Sequence, residues 1–307
     1  MIHVEGLTRR YGDFAAVDGV SFEIAPGEVV GLLGHNGAGK TTIMKMLTGF
    51  LEPSSGTVQV NGTDVCQAPL IVQAQMGYLP ESPPIYPELS VVDYLTYTAQ
   101  LRGLDAAAAV PQAIAATQLE AKTFDVIDTL SRGYKQRLGV AQAILHRPKY
   151  LILDEPSNGL DPNQIREMRS LIKSLSENAT VILSTHIMQE VNAVCDRVLI
   201  LRGGKLVVDE RLETLRRASR IALHTDTHTD VEQVVANVAE ITSVQALEPG
   251  RYQLDFSGDP QGCVAAVAKA MVDAGAPIYQ ISPLVRDLEG VFAEVNEGAP
   301  EGDRDAA

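Results

Sequence analysis

The first residues of the chain alternate apolar and polar positions. This period of two runs through residues 2–8 and 20–24, and Gly12 and the Pro26-Gly27 pair mark turns. Alternation of this kind is typical of strands with one buried face. The chain is therefore predicted to begin with an antiparallel β region.

Short apolar runs follow, and their order along the chain predicts a parallel sheet. A run at 28–33 leads through a glycine-rich turn into a helical stretch at 41–48. Runs at 150–153 and 180–184 flank an amphipathic stretch at 162–177. Apolar runs of this length suit strands buried on both faces, and the β–α–β order suits parallel pairing.

Two further patterns complete the first domain. Residues 89–145 carry apolar positions at three- and four-residue spacing, which predicts a helical subdomain. Residues 197–201 and 205–208 are strand-like and are joined through Gly203-Gly204, which predicts a closing hairpin.

After about residue 215 the pattern changes. The expected strands are residues 220–225, 241–247, 251–256 and 277–281. The expected helices are residues 229–239 and 260–274. The β-α-β-β-α-β order is that of a small ferredoxin-like unit. A last helix at 285–295 precedes an acidic end rich in Gly and Ala, and such ends are commonly disordered. We therefore predict three parts: a first domain at 1–215, an accessory α+β domain at 216–296 and a disordered tail at 297–307.

Composition and charge narrow the classes of function. Hydrophobic residues make up 45% of the 307 residues, which is enough for a sizeable core. The formal net charge of −14 argues against nucleic acid as the main partner, because binding phosphates needs clustered Lys and Arg. The chain shows neither an apolar run of about 18 residues nor a signal-peptide pattern, so we expect a cytoplasmic protein. The three cysteines, Cys66, Cys195 and Cys263, are far apart and predict plain thiols rather than a metal cluster.

The strongest chemical signal is a nine-residue loop that fits GxxxxGK[ST] between a predicted strand and a predicted helix. Its residues are Gly34, His35, Asn36, Gly37, Ala38, Gly39, Lys40, Thr41 and Thr42. Glycines let backbone N–H groups converge on phosphate oxygens, and the helix N-terminus adds partial positive charge. Lys40 is expected to reach the β- and γ-phosphates, and the Thr41 hydroxyl to bind Mg²⁺. The alternative is a glycine-rich turn without a ligand.

An acidic pair, Asp154-Glu155, ends the apolar run that begins near residue 150. Ligands of open α/β sheets bind at the carboxyl ends of the strands, so Asp154 suits the Mg²⁺ shell. Glu155 is then placed to activate a water molecule as general base. Taken alone, such a pair is more often a helix cap or a solvated turn. The phosphate loop reverses that preference.

A segment at 130–138 adds a family resemblance. It reads Leu-Ser-Arg-Gly-Tyr-Lys-Gln-Arg-Leu and resembles the signature motif of ABC transporter ATP-binding subunits. Over residues 2–215 the chain resembles these subunits in the order of its motifs. The resemblance implies the ABC cassette of the P-loop NTPases, an α/β fold with a mixed sheet core, an antiparallel β subdomain and a helical subdomain.

The resemblance also implies roles for residues outside the phosphate loop. Ser131 and Gly133 are implied to contact the γ-phosphate held by a second copy, and Asp161 to contact the opposing subunit. His186 matches the switch histidine that contacts the γ-phosphate, and Tyr11 matches the aromatic residue that stacks on adenine. Without the resemblance, these residues would be interpreted as a helix cap, a turn, a surface histidine and a ring packed at a strand end.

The sequence departs from the common family pattern at several positions. His35 stands where proline is usual, and the signature reads SRGY rather than SGGQ. Glu81 takes the place of the glutamine that links Mg²⁺ to the membrane partner, and a carboxylate is still a good Mg²⁺ ligand. The Glu81 variant resembles the subfamily that pairs with ABC-2-type export permeases, including those of gliding motility and copper-enzyme maturation.

The sequence thus predicts an ATPase that binds two ATP molecules between two copies of itself. From a peripheral position at the inner face of the cell membrane, it would drive a separate integral membrane permease through the surface near residues 81–94. One alternative is a soluble ATPase of the same superfamily that acts on DNA or ribosomes. Another is a nucleotide-dependent conformational switch, in which the C-terminal unit senses a ligand. Selectivity for the transported substrate is expected to lie in the permease.

Overall fold

The computed structural model describes residues 1–216, 220–284 and 288–297. The chain forms two compact units, one of Met1–Glu210 together with the described residues 295–297, and one of Arg211–Glu294. Among the described residues, no helix has both the length and the hydropathy that crossing a bilayer requires.

The strands from residue 2 to residue 211 form two sheets. They are β1 (Ile2–Tyr11), β2 (Phe14–Ile24), β3 (Val29–Leu33), β4 (Ser55–Val60), β5 (Thr63–Asp64), β6 (Met76–Leu79), β7 (Tyr150–Asp154), β8 (Thr180–Thr185), β9 (Arg197–Arg202) and β10 (Lys205–Arg211). The first sheet is antiparallel, in the order β2-β1-β4-β5. It confirms the antiparallel β region predicted for the beginning of the chain.

The second sheet has the order β10-β9-β3-β8-β7-β6 and is parallel from β9 to β6. Every residue of β3, β7 and β8 is buried, which is why these strands read as continuous apolar runs. The register pairs Leu33 with Thr185 and Asp154 with Ser184. The carboxyl ends of three neighbouring strands therefore meet at one edge, where the sheet can hold a ligand.

Eight α-helices lie between residue 40 and residue 216 of the described chain. They are α1 (Lys40–Leu47), α2 (Pro69–Gln73), α3 (Val91–Leu101), α4 (Ala106–Ala116), α5 (Arg132–Ile144), α6 (Pro162–Ser176), α7 (Met188–Val194) and α8 (Leu212–Arg216). Helices α3, α4 and α5 pack around a core of their own, which includes Tyr94, Leu95, Ile114 and Leu138. Side chains of Ser90, Asp105 and Ser131 cap the three helices. This packing confirms the helical subdomain.

The second unit carries one antiparallel sheet. Its elements are β11 (Arg220–His224), α9 (Val231–Val235), β12 (Ile241–Glu248), β13 (Arg251–Phe256), α10 (Pro260–Asp273) and β14 (Gln280–Leu284), and α11 (Leu288–Glu297) follows. The strand order is β12-β13-β11-β14. Buried side chains of the strands, such as Leu223 and Leu254, pack with Val267 and Met271 of α10. The element order is the predicted ferredoxin-like one.

Three boundaries in this unit differ from the prediction. Helix α9 begins after its cap Asp230 and ends at Val235, well before residue 239. Strand β14 is Gln280–Leu284 rather than 277–281. Pro277 has no backbone N–H to donate, whereas the N–H of Tyr279, just before the strand, donates to the carbonyl oxygen of His224. Helix α11 includes Glu297, where the tail was predicted to begin, and residues 298–307 lie outside the described residues.

Candidate active site

A cavity of about 710 Å³ opens at the carboxyl edge of the parallel sheet. It combines the turn between β1 and β2, the loop before α1 and the segments that follow β6, β7 and β8. Its lining residues are Tyr11, Phe14, Ala16, His35, Asn36, Gly37, Gly39, Lys40, Thr41, Thr42, Glu81, Glu155, Asn158 and His186. The predicted phosphate loop, general base, switch histidine and adenine-stacking residue thus share one cavity.

Gly39 shapes the phosphate loop where it enters α1. Its φ of 102° lies in the left-handed region, and a Cβ there would lie 2.5 Å from the carbonyl oxygen of Ala16. Only glycine meets both conditions. No side chain caps α1, so the backbone N–H groups of its first turn are available to an anion.

The Lys40 ammonium lies inside the loop and is almost fully buried. It donates to the carbonyl oxygens of Gly34 at 2.7 Å and His35 at 3.2 Å. It also lies 3.3 Å from Glu155 Oε1. The loop thus folds around its own lysine, and Gly34 serves the site through this contact without lining the cavity.

Asp154 is completely buried at the end of β7. Its Oδ1 accepts hydrogen bonds from the Ser184 hydroxyl and, at 3.2 Å, from Thr41 Oγ1. Its Oδ2 is buried without a hydrogen-bond partner among the described residues. Burial raises the pKa of this carboxyl group, and the two hydroxyl donors oppose the rise.

These contacts of Asp154 and Thr41 fit a hard divalent cation. An unpaired carboxylate oxygen beside a hydroxyl group gives oxygen ligands, which Mg²⁺ prefers. Within the described ranges, no group of three or more His, Cys, Asp or Glu side chains could hold a metal ion alone. Mg²⁺ usually binds through one or two carboxylates plus substrate phosphates, so two protein ligands suffice.

Glu155 is held through both its backbone and its side chain. Its φ of 48° is left-handed, its N–H donates to Ser184 Oγ at 2.9 Å, and its carbonyl accepts from Gln136 Nε2 at 3.5 Å. The carboxylate lies between Lys40 and His186, whose Nδ1 is 2.9 Å from Glu155 Oε2. The side chain is nearly buried, yet it lines the cavity. A water molecule beside a terminal phosphate would meet this carboxylate.

Glu81 and Asn158 lie on the cavity wall and contact each other. The Asn158 side-chain amide donates to Glu81 Oε1 at 3.0 Å. Glu81 is close enough to Asp154 to contribute to the raised pKa of that residue. Two carboxylates near one hydroxyl are suited to share a cation.

The β1–β2 hairpin contributes two aromatic rings to the cavity lining. Tyr11 ends β1, Phe14 begins β2, and both side chains are exposed. The guanidinium of Arg9 lies 4.8 Å from the centre of the Tyr11 ring. This part of the cavity suits a planar base.

Six predicted site residues do not line the cavity. Three of them, Gly34, Ala38 and Asp154, belong to the phosphate loop and the end of β7, and the other three lie at α5 and α6. Ser131 caps α5 by accepting from the N–H of Tyr134, and Gly133 is buried beneath the side chain of Gln164. Asp161 caps α6 and accepts from the N–H groups of Asn163 and Gln164, both at 2.9 Å. A single chain therefore assembles the phosphate loop and the acidic residues, but not the signature.

Among the described residues, five without a predicted site role line the cavity or contact Glu155. They are Phe14, Ala16, Gln136, Asn158 and Ser184. Ser184 is the penultimate residue of β8 and pairs with Asp154 of β7, and its place near the carboxyl end of a predicted strand is a signal that the sequence carries. The roles of Gln136 and Asn158 depend on contacts across long sequence distances, which no local pattern carries.

Several known proteins resemble this chain in sequence. Residues 17–158 match a family model described as ABC transporter. The bacitracin transport ATP-binding protein BcrA of Bacillus licheniformis is 31% identical, over 98% of this chain and 99% of its own length. BcrA of Enterococcus faecalis is 36% identical, over 97% of both chains. The Nod factor export ATP-binding protein I of Paraburkholderia xenovorans is 35% identical, over 68% of this chain and 70% of its own.

Solved structures share the fold. The ATP-binding subunit of an ABC transporter superimposes with a TM-score of 0.64 at 32% identity, covering 71% of this chain and 92% of its own. A dimeric bacterial ABC transporter cassette gives the same TM-score at 21% identity, covering 69% of this chain and 99% of its own. Both superpositions cover about 70% of this chain, and at 21% identity the second shows a shared fold alone.

Proposed function

Because this chain belongs to the family of ABC transporter ATP-binding subunits, we propose that it hydrolyses ATP at the cavity around Lys40 and Glu155 to drive a separate membrane permease. The family assigns the chain its function as an ATP-binding and ATP-hydrolysing subunit. One observation supports these residues most strongly. Glu155, next to Asp154 in the chain, contacts Lys40 through one carboxylate oxygen and His186 through the other. The cavity-lining residues all belong to residues 1–215, which we assign as the ATP-binding domain, with 216–296 as an accessory domain.

The phosphate loop would bind the triphosphate. The N–H groups at the start of α1 and the Lys40 ammonium would contact the negatively charged phosphates. The loop residues from Gly34 to Thr42 would surround these phosphates. Lys40 and Glu155 form an ion pair in this structure. The γ-phosphate would therefore compete with Glu155 for the Lys40 ammonium. Nucleotide binding would thereby free the Glu155 carboxylate for a water molecule.

Asp154 and Thr41 would hold Mg²⁺, with Glu81 as the third ligand. Mg²⁺ would neutralise charge on the β- and γ-phosphates. The unpaired Oδ2 of Asp154 supports this role, because a buried carboxylate oxygen without a partner is costly unless a ligand satisfies it.

Glu155 would act as the general base of hydrolysis. It accepts a proton from water as the water oxygen attacks the γ-phosphorus and the bond to the ADP oxygen breaks. His186, in contact with the same carboxylate, would orient that water and contact the γ-phosphate. The backbone bonds to Ser184 and Gln136 fix where the carboxylate points.

A second copy of the chain would complete each site. Ser131 and Gly133 lie outside the cavity of their own chain, and Ser131 stands at the start of α5, where N–H groups bind anions. We propose that they contact the γ-phosphate of the opposing copy, with Asp161 at the same interface. Loss of that phosphate on hydrolysis would reopen the dimer, since it removes the charge that both copies contact.

The permease would dock near residues 81–94. Tyr86 and Tyr97 are exposed there, and Tyr86 contacts both Tyr94 and Tyr97 edge to face, at 6.1 Å and 5.9 Å. Aromatic residues of this kind are enriched at interfaces. The relatives named for bacitracin transport and Nod factor export support export as the direction, and Glu81 supports an ABC-2-type permease. Membrane association would then be peripheral, through this partner.

The Glu155→Gln variant tests the proposal. We expect it to bind Mg·ATP but to hydrolyse it about 10² to 10⁴ times more slowly, which is the range for a general base. Its mass, measured by light scattering after size exclusion, should double when Mg·ATP is added. The control is Glu177→Gln, which changes an exposed glutamate at the end of α6 and should keep full turnover. Wild-type turnover in Glu155→Gln would refute the role of this residue.

A further inference from the structure

We propose that Phe14 is a base-binding residue, so that the purine ring of the nucleotide packs against Phe14 as well as against Tyr11. The inference rests on the proposed function, because it concerns the same cavity. It adds a residue that no motif of the sequence marks and assigns it to the base rather than to the phosphates.

The β1–β2 hairpin sets the geometry. Tyr11 and Phe14 are paired across the two strands, and only Gly12 and Asp13 separate them. Residues directly opposite each other in an antiparallel pair project from the same face, with Cβ atoms about 5 Å apart. The two side chains therefore leave the hairpin on the same face, and both line the cavity.

Arg9 limits what Tyr11 can offer. Residues two apart in a strand share a face, and the Arg9 guanidinium lies over the Tyr11 ring at 4.8 Å. The guanidinium is also anchored, because its Nη1 donates to the carbonyl of Glu52 at 2.9 Å. One face of Tyr11 is thus covered by a cation, which leaves one face for a base. A base stacked there reaches beyond Tyr11 towards its paired neighbour.

Phe14 supplies the remaining apolar surface. Its side chain is 63% exposed, and most of the other residues that line the cavity are polar or charged. A phenyl ring has no hydrogen-bonding group, so it recognises the flat surface of a base and not its edge. Ring area then determines the contact, and purine nucleotides should bind more tightly than pyrimidine nucleotides.

The absence of tryptophan from the chain allows a direct test. A Phe14→Trp variant carries a single indole at the proposed contact. Its fluorescence should change when saturating ATP is added, and it should stay unchanged with inorganic tripolyphosphate, which fills the phosphate loop but has no base. Phe50→Trp is the control, since Phe50 is 75% exposed and does not line the cavity. No response of Phe14→Trp to ATP, while labelled ATP is bound, would overturn the inference.

Affinity measurements provide the second test. Phe14→Ala should weaken ATP binding by about 5- to 150-fold, the usual loss for one base-stacking side chain, and leave tripolyphosphate binding unchanged. Phe50→Ala should change neither. Equal ATP affinity in Phe14→Ala and wild type would refute the role of Phe14 alone. A wild-type chain that binds neither ATP nor tripolyphosphate would instead refute the proposed function.

Discussion

At the scale of single residues, the site concentrates buried charge that has few partners. Asp154 is fully buried with one oxygen unpaired, and Lys40 and Glu155 compensate each other at 3.3 Å. Such an arrangement lowers the stability of the ligand-free protein and favours binding of a cation and an anion. Function and stability therefore oppose each other at this site.

Asp154→Asn should make the ligand-free protein more stable. Asparagine keeps an acceptor for Ser184 and Thr41 and removes a buried charge, so we expect a gain of about 1 kcal/mol, or roughly 2–4 °C in Tm. Thermal unfolding with and without Mg·ATP measures this, and the variant should lose the stabilisation that Mg·ATP gives the wild type. Asp273→Asn, at an exposed position in α10, is the control and should change neither value.

The gain should depend on pH in a definite direction. Burial raises the pKa of Asp154 above its ordinary value of 3.8, so the folded state binds this proton more tightly than the unfolded state does. The contribution of protonated Asp154 to the free energy of unfolding is fully present below about pH 4. It is lost as the pH rises through the raised pKa. The advantage of Asp154→Asn should therefore be large at pH 7 and small near pH 4. An advantage that grows towards low pH would contradict the assignment.

Lys40→Ala should weaken nucleotide binding itself. A charge-assisted contact contributes about 1.5–3 kcal/mol, so ATP and tripolyphosphate affinity should both fall by roughly 10- to 150-fold. Lys45→Ala, in the same helix but outside the cavity, is the matched control. Competition binding measures both ligands, and wild-type affinity in Lys40→Ala would contradict the phosphate role.

At the scale of elements, α5 interlocks with the segment from Glu155 to the start of α6. The Arg132 guanidinium lies against Gly159, Gly133 lies under Gln164, and Gln136 donates to the carbonyl of Glu155. Helix α5 also begins with Ser131, which we assign to the opposing nucleotide. A contact of Ser131 with the nucleotide of the opposing copy can thus affect the general base Glu155, which acts on the nucleotide of its own copy. Helix α5 connects the two positions.

Gly133→Ala tests this packing. A Cβ there would lie 2.8 Å from Cδ of Gln164, whose side chain also takes part in the capping box of α6. We expect a loss of about 1 kcal/mol in the free energy of unfolding. Gln164→Ala removes the obstacle, so the double variant should lose less than the sum of the two single losses. Gly133→Ala combined with Ser170→Ala, at an exposed site in α6, should be additive in the same denaturant experiment.

How far the sequence predicts these elements depends on the kind of signal. Strands β3, β7 and β8 are predicted from continuous apolar runs, because the parallel sheet buries them on both faces. Helix α6 is predicted from the spacing of its apolar residues, because it buries one face. Residues 55–79, with β4, β5, α2 and β6, were left unassigned. Their short strands join two different sheets, β4 with β1 and β6 with β7, and such pairings are set by tertiary contacts.

The site divides in the same way. The phosphate loop and Asp154-Glu155 follow from local motifs whose structural context the sheet provides. The contacts of Glu155 with Gln136 and of Glu81 with Asn158 join positions far apart in sequence, and only the folded chain brings them together. Phe14 is found through its strand pairing with Tyr11.

At the scale of the whole molecule, a site divided between two copies predicts complementation. Lys40→Ala and Ser131→Phe proteins should each be inactive as pure dimers. When they are mixed, a mixed dimer has one site with an intact Lys40 and an intact Ser131. Random pairing makes half of the dimers mixed, so the mixture should recover roughly a quarter of wild-type ATPase activity. If both residues served the same site within one chain, mixing would restore nothing.

The left-handed backbone at Glu155 bears on how copies of such a gene diverge after duplication. A φ of 48° costs a residue with a Cβ about 1 kcal/mol or more, whereas glycine adopts it freely and asparagine tolerates it. In a duplicate released from selection for hydrolysis, glycine or asparagine at this position would relieve the strain and remove a buried charge together. Drift should therefore erase the general base early and leave the nucleotide-binding loop behind.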